Sequence, residues 1–171
     1  MERTGTSTYR ILGIDPGLNI TGYAAVDFPN MGAGEPAIVE AGTLRTSPRA
    51  DMPHRIAQIH DDLAGLLAEL KPDLVAIEQL YAHYKHPRTA ILMGHARGVV
   101  LLTCCRAGVA IRNLAATHIK KSLTGNGHAS KLQVQRSIQA LCKLKELPQP
   151  PDVADAIAIA LCAGRSGMSN V

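Results

Sequence analysis

Four acidic residues stand where a folded chain could bring their carboxylates together: Asp15, Glu78, Asp152 and Asp155. Clustered carboxylate oxygens are the ligands that hard divalent cations such as Mg²⁺ prefer. A pair of these ions about 3.5–4 Å apart can stabilise both the attacking and the leaving oxygen when a phosphodiester is hydrolysed. The residue types therefore predict a site for two Mg²⁺ ions, with Mn²⁺ as a substitute, and phosphodiester hydrolysis as its chemistry.

Asp15 and Glu78 each follow a run of apolar residues that is typical of a buried strand. Pro16 and Gly17 come directly after Asp15, so the chain turns sharply there and leaves the carboxylate at the edge of the sheet. Glu78 follows the apolar run Leu74–Ile77, at the carboxyl end of a central strand, where open sheets place their ligands. We therefore expect the two acids to lie close together.

Asp152 and Asp155 are spaced i and i+3, which places them on one face of a predicted helix. The rest of that helix, including Ile157 and Leu161, is apolar enough to pack on the sheet. Packing would bring both carboxylates to the edge where the strand-end acids lie. Mutual repulsion makes such a cluster unfavourable without a cation, so a bound metal is an implied partner.

Each acid also has a plain structural alternative. Asp152 could be only a helix N-cap, and Asp155 an acid of the first turn that complements the helix dipole, each worth about 1 kcal/mol. Asp15 could belong only to a tight turn, and Glu78 could be an ordinary surface acid at a strand end. The four together, in a chain with a basic second half, favour the metal site.

Charge is distributed unevenly along the chain of 171 residues, whose net charge is +4. Residues 79–145 contain eleven Lys or Arg and neither Asp nor Glu, whereas residues 1–78 contain eleven acids and six bases. The bases are spread out rather than gathered in a tail, which predicts a folded surface that faces a polyanion such as nucleic acid. For any single lysine, simple exposure to solvent is the alternative.

Hydrophobic periodicity predicts three hairpin-linked strands followed by alternating helices and strands. The strands are expected at Arg10–Asp15, Thr21–Asp27, Ala37–Leu44, Leu74–Ile77 and Val109–Leu114, and the helices at Pro53–Leu70, Thr89–Arg106, Thr117–Leu123, from Ser130 onward and at Asp152–Cys162. Ser130 and Gln133 have the spacing of a capping box. The order predicts one α/β domain over residues 1–171, with a core of about residues 10–162 and a five-stranded mixed sheet flanked by helices.

Other classes of protein are disfavoured by what the sequence lacks. No apolar run approaches the roughly eighteen residues of a membrane span, and residues 1–9 are polar, so we expect a cytoplasmic protein with no membrane segment. No spacing of Cys and His is typical of a zinc site. His128, in a glycine-containing loop, could donate to a phosphate or could simply be solvated.

Four blocks of the sequence share a pattern with one known family: residues 11–22 (ILGIDPGLNITG), 76–79 (AIEQ), 94–98 (GHARG) and 152–158 (DVADAIA). In their order and spacing these blocks resemble the RuvC family of Holliday junction resolvases. A lone Asp-x-Gly is shared with actin-like phosphotransferases, but that architecture needs a duplicated fold in a much longer chain. The order of the four blocks makes the resemblance specific.

The resemblance implies a ribonuclease H-like fold and a structure-selective DNA endonuclease that resolves Holliday junctions in homologous recombination and repair. It implies that the four acids bind metal and catalyse symmetric nicking of two strands. It also implies a homodimer, with the RuvA-RuvB branch-migration complex as a partner.

The resemblance further implies that the residue three positions after Glu78, here Tyr81, stacks on bases at the junction centre. Ordinary packing is the alternative for this tyrosine and for its neighbour Tyr84. Lys120 and Lys131 match family contacts to phosphate, which position DNA without reading its sequence. The expected DNA surface comprises Tyr81, Tyr84, Lys85, Arg88, Lys120, Lys121 and Lys131.

The loop at residues 83–88 is more basic and more constrained by proline than the family pattern, which leaves junction geometry and cut-site preference open. Two other functions also remain open. One is a nuclease of the same fold that acts on another branched or RNA-containing substrate, since the same metal chemistry serves all of them. The other is a non-catalytic DNA-binding module, against which the presence of all four carboxylates argues.

Overall fold

The computed structural model describes residues 8–29, 34–80 and 87–166. The strands are β1 (Thr8–Asp15), β2 (Ile20–Pro29), β3 (Ala37–Arg45), β4 (Leu74–Glu78) and β5 (Ala110–Leu114). The helices are α1 (Met52–Leu70), α2 (Pro87–Arg106), α3 (Ala116–Thr124), α4 (Lys131–Leu141) and α5 (Pro151–Arg165). Each lies where a strand or helix was expected, with ends that differ by a few residues.

The five strands form one mixed sheet in the order β3-β2-β1-β4-β5. β1, β2 and β3 pair antiparallel as successive hairpins, whereas β4 and β5 run parallel to β1. Parallel neighbours need a crossover, and α1 supplies it between β3 and β4. The expected five-stranded mixed sheet flanked by helices is confirmed.

The helix ends follow local chemistry. The Asp51 side chain caps the N-terminus of α1 by accepting from the backbone N–H of His54 at 3.1 Å, so α1 begins at Met52, one residue earlier than expected. The capping box of Ser130 and Gln133 is present at the start of α4. Pro151, in the first turn of α5, needs no hydrogen-bond partner for its nitrogen and starts that helix.

The two faces of the sheet are covered by different helices. Along β1, Ile11 belongs to the buried cluster that contains α5 and the apolar sides of α3 and α4. Leu12 and Ile14 belong to the cluster formed with α1 and α2. Because side chains alternate along a strand, this division assigns every other strand residue to each face. Within the described residues, the structure contains no helix long and apolar enough to cross a membrane.

Candidate active site

Asp15 and Glu78 end two neighbouring parallel strands and face the same side of the sheet. Asp15 lies two residues after Gly13, and Glu78 lies two residues after Ala76, so both carboxylates point to the face that carries α5. The last register pair of β1 and β4 is Ile14 with Ile77, which leaves the two acids side by side one residue further on. The expectation that they lie close together is confirmed by this register.

Two glycines let α5 approach the sheet at this edge. A β-carbon at Gly13 would lie 2.2 Å from the carbonyl oxygen of Ala156, and one at Gly22 would lie 2.1 Å from the carbonyl oxygen of Asp152. Both contacts involve helix backbone, which cannot rotate away. Since Gly22 pairs with Asp15 across the hairpin, the first turn of α5 is seated beside that acid.

The first turn of α5 presents Asp152 and Asp155. The N-cap of α5 is Pro150, and no side chain caps the helix end. The structural alternative in which Asp152 acts as the N-cap is therefore wrong. Both acids are partly buried, which is unusual for residues that only complement a helix dipole at the surface.

A cavity of about 240 Å³ lies between the sheet edge, α3, α4 and α5. Three of the four predicted acids line it: Asp15, Glu78 and Asp155. Lys120 and Lys131 face the same space from α3 and α4, and Ile119 and Val134 supply its apolar wall. The cavity therefore combines an acidic floor with two cations, an arrangement suited to a phosphate and a divalent ion together.

Asp152 lies at the margin of this cluster. It lines a neighbouring depression with the turn at residues 17–20 and with Thr89 and Met93 of α2. The charge of Asp152 nevertheless contributes to raising the pKa of Asp15. The structure thus brings three predicted acids around one cavity and places the fourth next to it.

The electrostatics of the cavity are those of crowded negative charge. The pKa of Asp15 is raised to about 7, first by burial and then by the charges of Asp155, Glu78 and Asp152, with Lys131 opposing the shift. The pKa of Glu78 is also raised, first by burial and then by Asp155, and Lys120 and Lys131 oppose the shift. Like charges held this close disfavour full ionisation, so an added cation would be stabilising.

The site fits a hard divalent cation in donor type and in charge. Asp15, Glu78 and Asp155 offer carboxylate oxygens at one cavity, the donors that Mg²⁺ prefers. Within residues 8–29, 34–80 and 87–166, no three His, Cys, Asp or Glu side chains are arranged as a complete ligand set. Lys131 lies 3.5 Å from Asp155 Oδ2 and partly balances the charge there. The fit is therefore chemical and electrostatic, and ligation would require the side chains to close around the ion.

The turn after Asp15 is braced by hydrogen bonds that sequence patterns did not reveal. Thr21 Oγ1 donates to the carbonyl of Gly17 at 2.8 Å. Thr46 Oγ1 donates to the carbonyl of Leu18 at 2.6 Å and accepts from the buried Arg55 at 2.9 Å. Arg55 also donates to the side chain of Asn19. A polar network of this kind holds the turn in one conformation.

A second arginine contacts the end of β4 at Glu78. Arg97 Nη1 donates to the main-chain carbonyl of Glu78 at 2.7 Å. From the sequence, Arg97 was counted only among the eleven bases of the surface that faces a polyanion, although it also belongs to the block at residues 94–98 that carried the family resemblance. Membership in that block was the sequence signal that could have pointed to a role for Arg97.

The predicted DNA contacts occupy different surroundings. Lys120 and Lys131 line the cavity, whereas Lys121 is exposed on α3 outside it. Arg88 is exposed in the first turn of α2. His128 is exposed in the loop before α4. Three predicted contacts lie outside the described residues: Tyr81, Tyr84 and Lys85.

Comparison with known proteins agrees with this geometry. A family model described as crossover junction endodeoxyribonuclease RuvC matches residues 11–163. The crossover junction endodeoxyribonuclease RuvC of Rhodopirellula baltica is 46% identical over 154 residues, which cover 89% of this chain and 84% of that protein.

Two solved structures extend the likeness to three dimensions. The structure of Thermus thermophilus RuvC superposes with a TM-score of 0.83 and 32% identity, covering 92% of this chain and 95% of that one. A second structure, T. thermophilus RuvC in complex with a Holliday junction substrate, gives the same TM-score and identity over 90% and 92% of the two chains. The expected ribonuclease H-like fold is confirmed by this likeness.

Proposed function

The chain belongs to the RuvC family of crossover junction endodeoxyribonucleases, and we propose that it resolves four-way DNA junctions by nicking two opposed strands. The observation that carries the proposal is the gathering of Asp15, Glu78 and Asp155 around one cavity that also contains two lysines. A relative of the same fold binds a Holliday junction substrate. Homologous recombination and repair are the processes that generate such junctions.

The proposed cofactor is a pair of Mg²⁺ ions, for which Mn²⁺ would substitute. Asp15, Glu78 and Asp155 would hold them, and Asp152 is proposed as the fourth ligand from the margin of the cavity. When bound, such a pair supplies charge stabilisation to the attacking and leaving oxygens of the phosphodiester. Support comes from the raised pKa of Asp15 and Glu78, which is caused first by burial and then by neighbouring carboxylates, because added positive charge would favour the ionised forms.

The lysines of the cavity have a distinct part in the proposal. Lys120 and Lys131 would bind non-bridging oxygens of the scissile phosphate and keep it over the carboxylates. Without them, the negatively charged backbone would be repelled as it approaches the carboxylates of the cavity. Lys131 also lies 3.5 Å from Asp155, where its positive charge can offset the negative charge of that carboxylate until the substrate binds.

The wider DNA surface is proposed to continue from the cavity toward the start of α2. Arg88 and Lys121, both exposed, would contact phosphates on either side. Tyr81 would stack on a base at the junction centre, and Tyr84 and Lys85, which follow within four residues in the sequence, would add contacts to the same DNA. These contacts would position the junction rather than read its sequence.

A homodimer is part of the proposal, since two opposed strands must be cut by two sites. Support comes from α2, where Ile91 and Leu102 are 61% and 54% exposed. With Gly94 and Gly98 they line an open apolar groove of about 490 Å³. An exposed apolar face of this kind is typical of protein contact surfaces. A junction substrate would also place the enzyme in the cytoplasm, with the RuvA-RuvB branch-migration complex as a proposed partner.

The test of this function compares labelled four-way junction, linear duplex and RNA–DNA hybrid, each with Mg²⁺ or with EDTA. Paired nicks in opposed strands of the junction alone, dependent on Mg²⁺, are expected. Cleavage mainly of the hybrid or of other branched DNA would reassign the substrate within the same fold. Binding of junction without cleavage under any divalent ion would favour the non-catalytic module.

A further inference from the structure

Arg97 joins α2 to the carboxyl ends of two neighbouring strands. Its Nη1 donates to the carbonyl of Glu78, the last residue of β4, at 2.7 Å. Its Nη2 donates to the side chain of Asn113 on β5. Asn113 pairs with Ile77 in the parallel register, so the guanidinium spans both strands at the level of the active-site acid.

The chemistry of arginine suits this position. A guanidinium presents its donors as a rigid fork, so two acceptors held by one fork are fixed relative to each other. Burial lowers the pKa of Arg97, but an arginine side chain stays charged in proteins. The two bonds are therefore charge-assisted, which makes them stronger than bonds between neutral groups.

Arg97 acts on the main chain of Glu78 and not on its carboxylate. The charges that influence the Glu78 carboxyl group are those of Asp155, Lys120 and Lys131. Arg97 instead lines a small space of about 40 Å³ directly behind the acids, together with Asp15, Glu78 and Met93. A backbone anchor next to the last residue of a strand limits how far its side chain can shift.

We propose that Arg97 is a positioning residue that fixes Glu78 relative to Asp15 by clamping the ends of β4 and β5. The inference rests on the proposed role of Glu78 as a metal ligand and adds a residue from α2 to the machinery. Groups that orient a ligand without touching the metal are often nearly as important as the ligands, and their loss typically costs about 10- to 100-fold in metal affinity or activity.

The test uses Arg97→Met, which keeps the apolar stem and removes the fork, and Arg97→Lys, which keeps the charge but replaces the planar fork with a single ammonium group. Mn²⁺ binding to the DNA-free protein is measured by electron paramagnetic resonance of unbound Mn²⁺. Junction binding in EDTA and the separate kcat and KM of cleavage are measured in parallel. Arg10→Met is the matched control, because Arg10 donates to the carbonyl of Leu70 at 2.8 Å at the opposite end of β1.

Arg97→Met is expected to weaken Mn²⁺ binding and lower kcat by about 10- to 100-fold, with junction affinity in EDTA and KM unchanged. Arg97→Lys is expected to recover part of both losses. Arg10→Met is expected to lower thermal stability without changing the Mn²⁺ affinity.

Wild-type Mn²⁺ affinity and kcat in a folded Arg97→Met protein would overturn the inference. If Arg97→Met does not fold, Asn113→Ala decides, because it removes one acceptor of the clamp and should weaken Mn²⁺ binding in the same direction. An unchanged affinity in Asn113→Ala would then overturn it. Failure of the wild-type protein to cut junctions would count against the proposed function. The Mn²⁺ affinities of the variants would still test the positioning role of Arg97.

Discussion

Gly22 on β2 lies against the main chain of Asp152 so closely that a β-carbon there would come within 2.1 Å of the Asp152 carbonyl oxygen. Gly22 is also the strand partner of Asp15. The seat of α5 and the position of the first acid are therefore set by the same residue pair. The arrangement of the acids therefore depends on the absence of a side chain at Gly22 as well as on the acids themselves.

Gly22→Ala is predicted to push the first turn of α5 off the sheet. The expected cost is about 1–3 kcal/mol in the free energy of unfolding, because the contacted atoms are backbone and cannot rotate away. Cleavage should fall by roughly 100-fold, since small displacements of catalytic groups are costly. Urea unfolding and single-turnover cleavage measure the two effects.

Gly65→Ala is the matched control, because a β-carbon there on α1 meets nothing within 4 Å. It should stabilise the protein by about 0.5–1 kcal/mol and leave cleavage unchanged. A Gly22→Ala protein as active and stable as the wild type would contradict the account of how α5 is seated.

Amide substitution of the acids is predicted to separate catalysis from binding. Asp15→Asn, Glu78→Gln and Asp155→Asn should abolish cleavage, because each removes a charged oxygen ligand from the cavity. Junction binding in a gel-shift assay with EDTA should survive. Asp61→Asn, at an exposed position of α1, should behave as wild type. Equal loss of binding in all three variants would argue against a purely catalytic role.

The stability of the metal-free protein is predicted to depend on the ionisation of Asp15. Its pKa is raised to about 7 in the folded state, against about 4 in an unfolded chain. The folded state therefore binds this proton more tightly, so the contribution of Asp15 to the free energy of unfolding falls as pH rises between these values and stays low above them.

The Asp15→Asn side chain cannot ionise, so the variant does not lose this stability as pH rises. In EDTA at about pH 8 the variant should be more stable than the wild type by roughly 1–4 kcal/mol, and the difference should vanish near the unfolded pKa. Urea unfolding across this pH range gives the measurement. A difference between the two proteins that is independent of pH would contradict the raised pKa of Asp15.

Junction binding is predicted to be strongly salt-dependent. Each phosphate neutralised contributes about −0.9 to the slope of log affinity against log salt concentration. Lys120→Met and Lys131→Met should each make that slope shallower by about this amount. Lys71→Met, exposed at the C-terminus of α1 just before β4 and so at the opposite edge of the sheet from Glu78, should leave it unchanged. Affinity that is insensitive to salt would exclude binding through the basic surface.

The sheet and its acids could be predicted because each depends on local pattern. Apolar runs that stop at Asp15 and Glu78 predict strands with acids at their carboxyl ends, which meet at one edge of the sheet. That both acids also face α5 is shown only by the register of β1 and β4. The i, i+3 spacing of Asp152 and Asp155 similarly predicts a shared helix face. These inferences need no knowledge of which distant residues meet.

The contacts that hold the site in place could not be predicted, because they join residues far apart in the sequence. Arg55 lies in the first turn of an amphipathic helix, and nothing local indicates that it braces the turn after Asp15 through Thr46. The contact of Arg97 with Glu78 depends on how α2 packs across β4 and β5. The roles of Tyr81 and Tyr84 in DNA binding stay predictions.

Anomalous X-ray scattering from crystals of the wild-type protein grown with Mn²⁺ tests the proposed metal site most directly. We expect anomalous peaks in the cavity, within ligand distance of Asp15, Glu78 and Asp155, and their loss in crystals of Glu78→Gln. Occupied Mn²⁺ sites elsewhere on the protein, with none among these carboxylates, would contradict it.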